Sequence, residues 1–238
     1  MEYFNENHEF ELGQNFFLLF LVLMLGQVLN SGVEIQAQST SESQTISWVS
    51  PKFVYALDDQ WSFAARPLQR FNFTEEEHLD FFQEFQISKK LGNGFSASIL
   101  PRYWAEPNGR ADQMTVFYDI NHSFNRSKFK FTNKLRFHWG INWQADLADF
   151  LRWQPIIGYH FHKKAHAFIA TDWFFQFNGI NEMRRVRYQL GYFFRCDKRT
   201  ALSFEYWREE SLGVEPKIIS NIFVLTLIQN FSRKKKRE

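Results

Sequence analysis

A chain of 238 residues is long enough for one large β domain or two small ones. Its mean hydropathy of -0.40 is that of a soluble protein, yet 19% of the residues are aromatic, among them 29 Phe. A water-soluble domain must bury most of those rings, whereas a barrel in lipid displays them on its outside. The net charge of +2 averages unlike segments: residues 1–37 hold Glu2, Glu6, Glu9, Glu11 and Glu34 but no Lys or Arg, and Arg233, Lys234, Lys235, Lys236 and Arg237 crowd the far end. The stretch between is nearly balanced, which argues against a nucleic-acid footprint, and the basic tail reads as a solvated end. The lone cysteine, Cys196, rules out an internal disulfide.

In chain order, the first element is an apolar run from Asn15 to Leu29, the length of a signal-peptide core and short of a spanning helix. Polar residues follow, with Ile35 and Ala37 placed for cleavage before Gln38. Residues 1–37 are therefore expected to be a signal peptide, with retention as an anchor helix as the alternative. The acidic start, without Lys or Arg, departs from the usual pattern.

From Thr45 onward the dominant period is two, the mark of strands with two differently solvated faces. Strands are expected at 46–57, 60–71, 79–89, 95–105, 113–125, 129–140, 150–162, 166–177, 184–195, 199–210 and 218–231. In the 129–140 segment Phe129, Phe131, Leu135, Phe137 and Trp139 share one face, and Lys130, Thr132, Lys134, Arg136 and His138 the other. In 184–195, Val186, Tyr188, Leu190, Tyr192 and Phe194 oppose Arg185, Arg187, Gln189 and Gly191. Most segments are longer than ordinary globular strands and suit a tilted membrane strand of about 9–11 residues. The connections alternate short and long, as do the periplasmic turns and external loops of outer-membrane barrels.

A single-chain bacterial barrel normally has an even number of strands and both ends in the periplasm. On that rule ten strands span 60–231, with twelve as the alternative, and 38–59 becomes a periplasmic or plug segment, because Pro51 suits an irregular position. Residues 232–238 form the basic tail. The expected fold is thus an all-β, closed, antiparallel up-and-down transmembrane barrel.

On the inward face fall Arg66, Arg70, Asp80, Glu84, Arg102, Asp119, Lys130, Lys134, Arg136, Arg152, Asp172, Arg185, Arg187, Glu205 and Glu209. In a narrow lumen these charges must pair or hold water. They form either an interlocked plug or a small pore whose basic excess favours anions. His160 and His162, with His138 and His166 in reach, supply too few specified ligands to assign a metal, and no cofactor is assigned. A lipid hydrolase or acyltransferase on the same fold is the alternative function; His122, His138 and Ser203 are its only candidates. His122 and Ser123 are adjacent and face opposite ways, so no catalytic residue is assigned and an enzyme is the less favoured reading.

The stretch Phe168–Phe194 carries an acidic and aromatic strand, Asp172-Trp173-Phe174-Phe175, and then Asn181 with Arg184 or Arg185 opening a strand that runs through Gly191-Tyr192. Together with Leu151-Arg152-Trp153 upstream and Trp48 near the start, it resembles the family catalogued as domain of unknown function 2490. The resemblance covers about residues 45–231 and implies a bacterial outer-membrane barrel with no established activity. Lys134, His138 and the basic tail depart from its pattern. The partners expected on this reading are outer-membrane lipid and the barrel-insertion machinery.

Overall fold

The computed structural model describes residues 42–74, 77–105, 113–141, 150–177, 182–213 and 217–232. The expected leader at 1–37 and the tail beyond residue 232 lie outside them. Among the described residues every regular element is a strand: β1 (Glu42–Ala56), β2 (Trp61–Asn72), β3 (Glu77–Gly92), β4 (Phe95–Ala105), β5 (Gln113–Arg126), β6 (Phe129–Ile141), β7 (Phe150–His162), β8 (Ala165–Gln176), β9 (Glu182–Arg195), β10 (Thr200–Ser211) and β11 (Ile218–Ser232). Each strand pairs antiparallel with its sequence neighbours, and the sheet closes on itself into a barrel.

The closed, mostly antiparallel barrel expected from the sequence is therefore present, but its wall has eleven strands. β1 is not a plug or a periplasmic segment: it sits in the wall, antiparallel to β2 and parallel to β11 along its whole length, from Glu42 opposite Ile218 to Ala56 opposite Ser232. An odd number of alternating strands cannot close without one parallel pair, and that pair is β1/β11. It also means that β1 begins at the mouth carrying the longer connections and β11 ends at the mouth carrying the short turns, so the two ends of the described chain are not on one side.

Pro51 argued against a wall strand for 46–57, and the ladder shows how it is accommodated. The β1/β2 register runs from Val49 opposite Gln69 to Phe53 opposite Ala65 and skips the residues between, so the missing N–H of Pro51 falls in a gap. The same device recurs at Pro101, where the β3/β4 ladder is interrupted, and at Pro155, where the β7/β8 ladder is. Inside the barrel, Ile46 packs with Trp207, Ile222 and Val224, with Trp48 against them. Trp48 meets Trp207 edge to face at 4.8 Å, so apolar contact as well as hydrogen bonding holds β1 in place.

The wall is inside out relative to a soluble domain. Ile87, Ile99, Ile120 and Ile169 on the outer face are between 50% and 57% exposed, while Asp80, Glu84, Asp119 and Asp172 inside are buried. The turns at the narrow-connection end demand special backbone: Gly92, Asn93 and Gly94 all have positive φ, as does Ser127. Gly191 has a different reason. A Cβ there would overlap the ring of Phe168, which lies across it from β8, so the inward face of β9 is thinned to admit an aromatic ring.

Candidate functional site: a belt of charge and aromatic rings in the lumen

Register places the inward charges opposite one another. Arg66 faces Glu84 and Glu84 faces Arg102 across β2, β3 and β4; Asp119 faces Arg136 across β5 and β6; Asp172, Arg187 and Glu209 face each other across β8, β9 and β10. Period-two alternation and a common height are enough to assemble these groups from eight strands.

The contacts are mostly charge-assisted and several are forked. Arg136 grips Asp119 with Nε at 2.6 Å and Nη2 at 2.7 Å, and Lys134 adds Nζ at 3.2 Å. Arg70 holds Asp80 in the same two-pronged way. Arg102 donates Nε to Glu84 at 2.7 Å, with Arg66 at 3.7 Å on the other oxygen; Arg66 Nε itself donates to Ser50 Oγ at 2.8 Å. Asp172 Oδ2 accepts from Arg152 at 2.5 Å and Gln189 at 2.6 Å, with Arg187 at 3.6 Å. Arg187 Nε donates to Glu209 Oε2 at 2.9 Å and Arg185 to its Oε1 at 3.0 Å. Forked pairing of this kind is what makes buried charge tolerable, because isolated ions in such a place would cost several kcal/mol each.

Aromatic rings join these clusters. The Arg70 guanidinium lies over Trp48, Phe82 and Trp104 at 5.6, 4.8 and 5.3 Å. Phe117 has Arg102 at 4.6 Å and Arg136 at 4.8 Å. Phe174 receives Arg152, Arg185 and Arg187 at 5.1–5.3 Å, and Arg187 reaches Trp207 at 4.5 Å and Trp48 at 6.0 Å. Trp48, on β1, thus touches guanidiniums from both ends of the chain of clusters and links them across the parallel pair. Leu68, Phe117 and Asp172 retain at most 2% of their surface, while the Arg66, Arg102 and Lys134 side chains keep 21–23% of theirs, so the filling is dense but still reached by water. Trp48 Nε1, Trp104 Nε1, His138 Nε2, Arg152 Nε and Asp172 Oδ1 are buried without a protein hydrogen-bond partner; groups of this kind need water.

Of the charges expected inside, all but two enter ion pairs of the belt. Glu205 instead accepts from Ser203 Oγ at 3.0 Å and Trp207 Nε1 at 2.9 Å. Lys130 stands apart, exposed beside the 127–128 turn, because it lies near the end of its strand, where the lumen opens. Alternation of polar and apolar residues does not mark the ring component, but spacing does: Phe82, Trp104, Phe117, Phe174 and Trp207 are each two residues from a belt charge, the spacing that gives a common face. Lys52, which the even strand count places outside the wall, lies in the field of Arg66, Glu84, Arg136 and Asp119 and has no ion pair among the described residues.

The remaining candidates are dispersed. His160 and His166 do meet, with rings 4.8 Å apart, but His162 Nδ1 accepts the Lys164 backbone N–H at 3.1 Å and His138 packs edge-on to Phe117 at 4.5 Å. Among the described residues no cluster of three or more metal-binding side chains forms. His122 stacks on Phe95 at 4.3 Å, and Ser203 is engaged by Glu205, so the hydrolase candidates do not come together.

At the short-turn mouth, two carboxylates serve the backbone. Asp58 Oδ1 accepts the N–H groups of Trp61 and Gln60 at 2.6 and 2.7 Å, and Asp197 Oδ1 those of Arg199 and Thr200 at 2.6 and 2.8 Å. These backbone donors hold both carboxyls below the ordinary carboxylate range.

No family model matches the chain, and no curated protein is similar to it.

Proposed function

We propose that the protein is a bacterial outer-membrane barrel whose lumen is closed by its own charge-and-ring belt, so that it acts as a wall and scaffold rather than as an open channel. The observation that carries this is the inversion of burial. Isoleucine and aromatic side chains cover the outside of the wall, and Asp119, Arg136, Asp172 and Arg187 are sealed within it. An apolar exterior of this extent in water would be a liability to aggregation; against acyl chains it is the favourable face. The short turns would lie on the periplasmic side, and outer-membrane lipid and the insertion machinery would be its partners. Membership of the domain of unknown function 2490 family belongs to the same reading.

Reconstitution tests it in two stages. The purified chain is expected to run faster unheated than boiled on detergent gels, and to require detergent for solubility; absence of both behaviours would remove the membrane reading. In planar bilayers the intact belt is expected to give no steady conductance. Well-defined anion-selective steps would replace the scaffold with the small pore.

A further inference from the structure

The short turns at 93–94, 127–128, 163–164 and 196–199 carry exposed or half-exposed bases in or beside them, among them Lys89, Arg126, Lys163, Lys164 and Arg199. None of these five has an ion-pair partner among the described residues. Asp58, Asp59 and Asp197 share this mouth, and Asp58 and Asp197 are committed to backbone N–H groups of their own turns. At the opposite mouth, among the described residues, Arg184 pairs with Glu182 at 3.1 Å, and Arg208 and Lys217 pair with Glu210 at 3.1 and 2.6 Å. Among the described residues, rim bases without an ion-pair partner therefore gather at the short-turn mouth.

We propose that this rim is a docking collar for an anionic glycerophospholipid leaflet, the lysines and arginines meeting headgroup phosphates around the circumference. Two features favour lipid over a soluble polyanion. The bases are spread over four of the five short turns rather than gathered in one patch, which fits a ring of lipid and not a discrete ligand. Immediately inward of them lies an exposed aromatic band, with Phe129 against Tyr159 at 5.2 Å, Phe124 against Phe131 at 5.1 Å and the Lys89 ammonium 4.9 Å above Trp61. Rings at the glycerol level with long cations reaching past them is the interfacial arrangement of a membrane protein. The inference rests on the membrane reading above, and it assigns which mouth meets the negative leaflet.

The test uses the full chain in vesicles of phosphatidylcholine alone or with phosphatidylglycerol, reading the preference of spin-labelled phosphatidylglycerol over phosphatidylcholine at the protein surface. K89Q/R126Q/K163Q is compared with R184Q/R208Q/K217Q, which removes the same formal charge from the other mouth. One base at an anionic surface corresponds to roughly a five-fold factor, so the first variant is expected to lose at least about five-fold in preference, and the second to keep it. A preference untouched by the rim variant, lost equally in the control, or abolished by inorganic phosphate at constant ionic strength would overturn the collar. Should the rim variant fail to give the fast-migrating folded form, Lys163→Gln and Lys163→Arg decide instead: the collar requires the first to weaken the preference and the second to retain it. Failure of the wild type to insert into any vesicle would overturn the membrane reading itself, whereas insertion without lipid preference would overturn the collar alone.

Discussion

The lumen belt and the short-turn rim are both rich in arginine and lysine, yet they solve opposite problems. In the belt every guanidinium from Arg66 to Arg187 has a carboxylate partner and most have an aromatic face; at the rim Arg126, Lys163 and Lys164 are exposed and have no ion-pair partner among the described residues. Cations of the same type thus hold the wall together where they are desolvated, and stay available where they are hydrated. The comparison teaches that residue type alone does not give a charge its role in this barrel; depth along the strand does.

The comparison breaks first at Asp172. Fully buried between Arg152 and Arg187, it leaves Arg152 without a carboxylate when changed to Ala and takes from Arg187 one of its two, and D172A is expected to lose about 3–5 kcal/mol, read as a lower urea midpoint of unfolding from vesicles at unchanged m. Phe117→Ala removes a ring shared by Arg102 and Arg136 as well as its packing, for about 3–4 kcal/mol by the same measurement. A loss near zero in either variant would mean the belt is decoration rather than structure. Gly191→Ala forces Phe168 out of its position and is expected to cost about 1–3 kcal/mol, with a change in Phe168 ring resonances on NMR. Lys163→Gln at the rim sharpens the contrast: within about 0.5 kcal/mol of wild type in zwitterionic vesicles.

The smallest effect is one of pH. The folded-state pKa values of Asp58 and Asp197 lie below the ordinary 3.8, so their stabilisation of the turns is complete above that value and is lost as pH falls through the lower folded one. The unfolding midpoint of D58N/D197N is expected to fall below wild type at neutral pH and to converge with it in strong acid. A gap that stays constant across that range would mean that charge at these turns is irrelevant.

Most of the wall was legible because an alternating strand writes its two faces into odd and even positions, as Phe129 to Trp139 does against Lys130 to His138. The belt charges were legible for the same reason. What was hidden has two causes. Phe82, Phe117 and Phe174 are apolar residues on the polar face, and alternation alone gives no reason to seek a ring beside a buried guanidinium. An even strand count and a dislike of proline both point away from β1 as a wall strand, and so from Lys52 as a lumen residue, although Pro67, Pro101 and Pro155 stand in other strands of the wall. Neither rule weighs the apolar seat that Ile46 and Trp48 find against Trp207 and Ile222.

The parallel pairing of β1 with β11 bears on girth. β2 to β11 alternate without exception, so they alone satisfy the rule for a closed ring, and the difference between ten and eleven staves is set by a single strand. That strand carries Trp48, where the rings and guanidiniums of the two flanks meet. The diameter of the barrel and the continuity of its filling are therefore fixed together, by the same segment and in the same closure.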